Sequence, residues 1–296
     1  MYHRVSQIEV DPWGLAVHPA RFEEHIDVLT RTRRVVPLTR LIEEEQRRSS
    51  RDKALAVVTF DDGYHDVYSN ARQTLLRYSC PMTLFVATGS LGSNREFWWD
   101  AICRIFLETK MLPPSLTLEL PEKTFQWSVP PFENWDQRQK LFYEVWAQLR
   151  VLAFPQQLFQ VEKLGSWAGC DLVARETHRI MTKDEVRSIS DGLITVGAHT
   201  VSHPTLPAHD LDLQYREIVD SRRACEELLG NPITAFAYPY GDYNDVTISA
   251  VRHAGFSQAC TAENSVVLPG TNLLTLPRLY IADWKGDEFQ QRISVQ

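Results

Sequence analysis

The sequence predicts an α/β chain built on a parallel sheet, and three observations carry that expectation. Short β-rich runs alternate with amphipathic helical stretches, which is the pattern of successive βα units. Several of the runs are apolar at consecutive positions, as strands covered on both faces must be. The chain has 296 residues, 44% of them hydrophobic, so it can bury a sizeable core and is too apolar for a disordered segment.

The runs expected to be strands are 35–38, 54–60 (ALAVVTF), 82–88 (MTLFVAT), 193–198 (LITVGA), 234–238, 257–261 and 274–281. Between them, 18–30 reads as a helix with Phe22, Ile26 and Leu29 on one face, and 67–78 as another with Ala71, Leu75 and Tyr78 inward. The stretch 182–190 opens with a capping box: Thr182 accepts from the Glu185 amide while the Glu185 side chain reaches back. A helix over 213–229 ends at Gly230, and Pro232 prevents its continuation. The mixed charge run 43–48 reads as a solvated helix face.

From about 92 to 177 the short rhythm breaks. Paired prolines at 113–114 and 130–131 and six of the eight tryptophans fall in this stretch, which marks it as an insertion. Its helical parts, 97–107 and 136–152, are expected to pack over the main domain rather than fold alone. The chain is thus expected to be one domain, 1–296, with a helical subdomain inserted at about 92–177.

Acidic residues outnumber basic ones, 38 to 31, for a net charge of −7, which argues against a phosphate-backbone partner, so nucleic acid is not expected. The five cysteines are odd in number and scattered, without a C-x-x-C pair, so they indicate neither a disulfide framework nor a cysteine zinc site. There is no apolar leader and no uncharged run long enough to span a membrane. A cytoplasmic location is therefore expected.

Three strand ends carry the chemistry. In Thr59-Phe60-Asp61-Asp62-Gly63, two carboxylates stand at the C-terminal end of an apolar strand, where α/β folds bind their ligands. Neighbouring strand residues point to opposite faces, so Asp61 and Asp62 do different jobs unless the turn re-aims one of them, which Gly63 permits. Taken alone, such a turn is an ordinary solvated one. The second strand end runs from Gly197 to Pro204 and contains His199 and His203, whose imidazoles can meet on one ion if the backbone makes a helical turn between them. One carboxylate and two imidazoles make a catalytic zinc set with open positions, which leaves the other carboxylate free as a base. The third strand end, 236–243, is dense in aromatics that suit a sugar face. Tyr238, Pro239 and Tyr240 are read there as substrate-binding, with a backbone N–H after Pro239 aimed into the site.

T-F-D-D-G, H-T-x-x-H-P and Y-P-Y-G, in this order at strand ends, resemble the polysaccharide deacetylase family, the NodB-homology group of carbohydrate esterases. The resemblance covers most of the chain outside the insertion. It implies a distorted (β/α) barrel carrying the inserted helical subdomain. It also implies a bound divalent metal, Zn2+ by preference, and hydrolysis of N-acetyl or O-acetyl groups on a sugar with release of acetate. Carried over by motif, Asp61 is the general base, Asp62, His199 and His203 are the metal ligands, and the Tyr240 amide stabilises the oxyanion.

Two departures from the family pattern shape the remaining assignments. Many members have an arginine that pairs with the base two residues before the proline of the third motif; here that position is Ala237, and Arg278 in Leu276-Pro277-Arg278-Leu279-Tyr280 is taken as the substitute. The C-terminal L-x-H segment that supplies a general acid in many relatives is missing, since the last histidine is His253. Tyr2-His3-Arg4-Val5 instead resembles the N-terminal strand of the circularly permuted branch, which makes His3 the general acid.

A glycosidase using Asp61 and Asp62 fits poorly. Its carboxyls would stand about 5 to 9.5 Å apart across the scissile bond, and the histidine pair would have no purpose. The alternative that stays open is a catalytically inactive carbohydrate-binding protein of the same fold. Phe97, Trp98 and Trp99 read either as indoles at the rim of a sugar cleft or as core residues.

Overall fold

The runs that are apolar at every position become the inner staves of a parallel sheet. In this computed structural model, which describes residues 1–294, the strands are β1 (Arg4–Val5), β2 (Ala16–Val17), β3 (Arg34–Val35), β4 (Leu55–Ala56), β5 (Val58–Phe60), β6 (Met82–Val86), β7 (Ser115–Glu119), β8 (Thr124–Ser128), β9 (Ile194–Ala198), β10 (Ala235–Ala237) and β11 (Gln258–Cys260). The helices are α1 (Pro19–Thr32), α2 (Leu41–Arg47), α3 (Arg72–Arg77), α4 (Trp98–Cys103), α5 (Trp135–Leu149), α6 (Phe154–Ala168), α7 (Lys183–Ile189), α8 (Leu211–Leu229), α9 (Asp245–His253) and α10 (Gly286–Ser294).

Five strands pair in parallel in the order β5-β6-β9-β10-β11 and curl into a half-barrel. Every residue of β5, β6, β10 and β11 is buried, as expected for strands covered on both faces. Two irregular segments cross the open side. Beside β5, Tyr2 N donates to Thr59 O at 2.9 Å and Asp61 N donates to Tyr2 O at 3.1 Å. Beside β11, Leu276 bridges Cys260, and Ile281 N donates to Met1 O at 3.2 Å. Hydrogen bonds therefore run around the whole circuit, giving the distorted (β/α) barrel. The stave at 274–281 is not the continuous strand expected, because Pro277 lies in its middle and has no N–H to contribute to a ladder.

Other boundaries moved for similar local reasons. The run 54–60 breaks at Val57, so that β4 pairs with β3 while β5 joins the main sheet. The helix expected at 67–78 opens as a π-turn over Val67–Ala71 before α3. The capping box at Thr182 forms as expected, and α8 ends on Gly230 at φ 70, a left-handed cap that glycine adopts without strain. In the charge run 43–48, Glu44 is buried and pairs with Arg34, so that helix face is not wholly solvated.

The chain divides into two compact units. The first comprises Met1–Ile8, Gly14–Gly92 and the chain from Ile180, and its core joins Phe22, Phe60, Leu84, Ile194 and Phe236 around the sheet. The second comprises Glu9–Trp13 and Ser93–Arg179. It holds α4, α5 and α6 and an antiparallel β7–β8 hairpin, whose buried Leu116 and Leu118 alternate with exposed neighbours. Arg175 ties this unit together through Glu96 at 2.6 Å and Glu108 at 2.5 Å. Phe97, Trp98 and Trp99 are all buried, which decides for the core reading of that cluster. Among the described residues, no helix is long and apolar enough to cross a membrane.

Candidate active site

The turn after β5 brings both carboxylates to the same end of the barrel. Asp62 has φ 75 and Gly63 φ 93, so two successive left-handed residues swing Asp62 away from its strand direction. Asp61 keeps the strand direction and meets Arg278, whose Nη1 and Nη2 donate to its two oxygens at 2.7 Å each. The same guanidinium donates to Thr59 Oγ1 at 3.2 Å and to Thr261 O at 2.8 Å, so its orientation is fixed. Burial alone would raise the Asp61 carboxyl, but the Arg278 charge and its hydrogen bonds outweigh burial and hold it below the usual carboxylate value. Arg278 thus makes the pairing with Asp61 expected of a substitute for the arginine absent at Ala237.

The turn after β9 brings the two histidines together, though not by the helical turn expected. Thr200 has φ 64 and His203 φ 59, and this pair of left-handed residues folds the loop back on itself. Thr88 N and Gly89 N donate to Thr200 O and Val201 O at 3.1 and 2.9 Å on one side. From α8, Glu217 Oε2 accepts from Val201 N and Ser202 N at 2.8 Å each, and Oε1 accepts from Ser202 Oγ at 2.6 Å. His203 N donates to Thr200 Oγ1 at 3.0 Å.

Three side chains converge where these loops meet. His199 Nε2 and His203 Nε2 each lie 3.4 Å from Asp62 Oδ1, and one ligand atom from each of the three residues lies within 4.8 Å of the others. His199 Nδ1 contacts the Ala237 carbonyl at 2.7 Å; a carbonyl only accepts, so Nδ1 carries the proton and Nε2 presents a lone pair. The residues fit a divalent cation. Bonds of about 2.0 to 2.2 Å at tetrahedral angles separate ligand atoms by about 3.3 Å, close to the spacing of Asp62 from each imidazole. Burial would raise the Asp62 carboxyl, but the two imidazoles beside it, His199 and His203, hold it far below its usual value. Burial likewise opposes charge on His199, yet Asp62 lifts its imidazole above the ordinary value, while burial leaves His203 below it.

The remaining expected residues divide. The Tyr238 ring is buried against Phe236, and its hydroxyl donates to Leu274 O at 2.9 Å, so it is a core residue; this corrects its assignment to a sugar face. Pro239 is buried in the turn and offers no face either. Tyr240, at φ 59, stands with its ring edge-on to His203, the centroids 4.6 Å apart.

His3 follows Tyr2 on the segment beside β5. Its charge is acted on by Asp62, Asp61, Arg278 and His199, and burial, the largest influence, pushes its imidazole below the ordinary value. The segment is pinned beyond His3 as well: Asp66 accepts from Arg4 Nε at 3.0 Å and Val5 N at 2.9 Å, and Asn70 Nδ2 donates to Val5 O at 2.7 Å. Reading the sequence missed both Asp66 and Glu217. The only available signal was their distance along the chain from the two motifs, five residues beyond Asp61 and fourteen beyond His203.

Comparison with known proteins follows the same residues. A family model described as polysaccharide deacetylase matches residues 48–116 and 158–259, more than half of the chain. A putative polysaccharide deacetylase of Bacillus subtilis strain 168, YxkH, is 22% identical over 102 residues. That match spans 34% of this chain and 37% of the relative's length. The Streptococcus pyogenes deacetylase PplD, solved in complex with acetate, superposes with a TM-score of 0.63 at 17% identity, over 98% of this chain and 94% of that one. IcaB from Ammonifex degensii superposes with a TM-score of 0.61 at 20% identity, over 99% and 93%. These superpositions establish a shared fold.

Proposed function

The chain belongs to the polysaccharide deacetylase family, and from that premise we propose that it is a metal-dependent hydrolase that removes acetyl groups from a carbohydrate, releasing acetate. The observation that carries this reading is the placement of the Asp62, His199 and His203 cluster beside a second carboxylate, Asp61, that is held by its own arginine. A divalent cation on these three ligands, zinc by the chemistry of two imidazoles and a carboxylate, supplies the positive charge that acidifies water and polarises an acyl oxygen.

The chain's own residues do the rest. Asp61 accepts the proton of the attacking water; Arg278 occupies one lone pair on each of its oxygens and leaves the others for that proton. The Tyr240 amide, in a left-handed turn against His203, donates to the oxygen that becomes negative as the acyl carbon turns tetrahedral. An amine cannot leave as an anion, so a proton must reach its nitrogen, and His3 supplies it. Burial makes the His3 imidazolium a stronger acid than a solvated imidazolium, which favours that transfer. The segment carrying His3 closes the barrel beside β5, which supports the reading of a circularly permuted branch.

Acetate release from N-acetylglucosamine oligomers tests the reading, with zinc content measured on the same samples. Wild type retains about one zinc and releases acetate. His199→Ala loses both, with activity down at least about 1,000-fold. His3→Ala keeps its zinc and loses roughly 100- to 10,000-fold in kcat. With 4-nitrophenyl acetate, whose leaving group needs no proton, His3→Ala is nearly spared. Zinc retained without acetate release from any acetylated sugar would reject the hydrolase in favour of a carbohydrate-binding protein.

A further inference from the structure

Glu217 lies outside every motif, yet it makes three bonds to the histidine loop. Its Oε2 takes two successive backbone N–H groups, Val201 and Ser202 at 2.8 Å each, and its Oε1 takes the Ser202 hydroxyl at 2.6 Å. Successive amides aimed at one point form an anion-binding nest, which arises where a left-handed residue adjoins the pair. Here that residue is Thr200, at φ 64, a β-branched side chain in a conformation such residues rarely adopt. The loop conformation that lets His199 and His203 converge is therefore one that needs an anion beneath it, and α8 supplies the anion.

The opposite side of the loop is equally constrained. Thr88 N and Gly89 N hold the carbonyls of Thr200 and Val201, and a Cβ on Gly89 would come within 2.9 Å of Val201 O. The loop is thus gripped between the end of β6 and the first half of α8. Glu217 holds the loop through two backbone amides and the Ser202 hydroxyl.

We propose that Glu217 is a positioning residue that sets the separation of the His199 and His203 imidazoles and thereby the cation affinity of the centre. This rests on the metal-binding reading above. Removing Glu217 leaves three donors without their acceptor and frees Thr200 to return to a right-handed or extended conformation, which parts the imidazoles. Partners of this kind typically change metal affinity by 10- to 100-fold.

The test is the zinc dissociation constant, measured on the full chain by competition with a chromophoric chelator and without substrate, for wild type, E217A, E217Q and S202A. The expected order of weakening is E217A, then E217Q, then S202A, with E217A about 10- to 100-fold weaker than wild type. Co2+ supplies a second readout: its visible absorption bands shift in E217A and E217Q, because the ligand geometry changes, and stay near wild type in S202A, which keeps both amide bonds.

Circular dichroism confirms folding, and if E217A does not fold, E217Q and S202A decide. Folded E217Q with wild-type zinc affinity and wild-type cobalt spectrum overturns the proposal. Wild type that binds no zinc overturns the metal-dependent reading itself, so the two failures are distinct. Zinc bound normally by wild type and weakly by E217Q supports this role for Glu217 whether or not acetate is released.

Discussion

The loops after β5 and β9 meet at Asp62, but they are secured by opposite means. In the first, the clamp acts on the side chain that does chemistry: Arg278 grips both oxygens of Asp61. In the second, the clamp acts on backbone, with Glu217 on one side of the loop and the end of β6 on the other. The difference teaches that breaking the first clamp alters a functional group's charge environment directly, whereas breaking the second alters only where the imidazoles stand. The first also lies wholly inside the barrel, where an ion left without its partner is costly, while Glu217 is half-buried and water can replace part of what it gives.

The sharpest way to break this comparison is Arg278→Met. It leaves the Asp61 carboxylate buried without its cation, and the unfolding free energy is expected to fall by about 3 to 5 kcal/mol, measured by urea titration. Adding Asp61→Asn removes the orphaned charge and should recover much of that loss. A loss below about 1 kcal/mol in the single variant would mean that water reaches Asp61 and that the clamp is not a buried one.

A smaller effect is expected at Asp66, which holds the His3 segment from beyond Val5. Asp66→Asn weakens the bond to Arg4 while keeping an oxygen for Val5 N, so kcat on an N-acetyl substrate should fall on the order of 10-fold as His3 shifts, with zinc content unchanged. Hydrolysis of 4-nitrophenyl acetate should be unaffected. An equal loss on both substrates would place the role of Asp66 in general stability and not in holding His3.

The smallest effect concerns His25, which supports the same segment from outside the barrel. Its Nε2 donates to Trp284 O at 2.7 Å, its Nδ1 accepts from Tyr2 Oη at 3.3 Å, and burial pushes it below its ordinary value. The unfolded chain therefore binds a proton that the folded one refuses. Stability from this group is complete above the unfolded value near pH 6.5 and is lost as pH falls toward the depressed folded value, with a slope of at most about 1.4 kcal/mol per pH unit. Urea midpoints at pH 5 and pH 8 should converge in His25→Gln relative to wild type; an unchanged gap would assign the slope to other histidines.

Much of the site was legible because its residues sit in short motifs at the ends of apolar runs. Asp61, Asp62 and His199 follow such a run directly and His203 comes in the loop just after it, and strand ends on one side of a parallel sheet share one rim. Arg278 was reached only by asking what replaces the side chain absent at Ala237. Glu217 and Asp66 were not legible: each is one acid among neighbouring charges, and what distinguishes it is a contact with a loop or stave defined elsewhere. Tyr238 was misread because aromatics at a strand end signal a sugar face and a barrel core equally well, and only its bond to Leu274 O separates the two. The stave at 274–281 was apolar enough for a strand, but its ladder is reduced to separate bonds on either side of Pro277.

The circuit of hydrogen bonds that closes the barrel sets an order for the birth of the protein. Asp61 and Arg278 lie 217 residues apart, and the backbone that completes the ring joins Met1 to Ile281. At a synthesis rate of roughly 5 to 20 residues per second, about 10 to 40 s pass on the ribosome between the two partners of the ion pair. A half-barrel complete through β11 would enclose Asp61 without its cation until the chain had grown from Cys260 to Arg278. The ion pair and the closing bonds of the ring can therefore form only after the last staves of the barrel have been made.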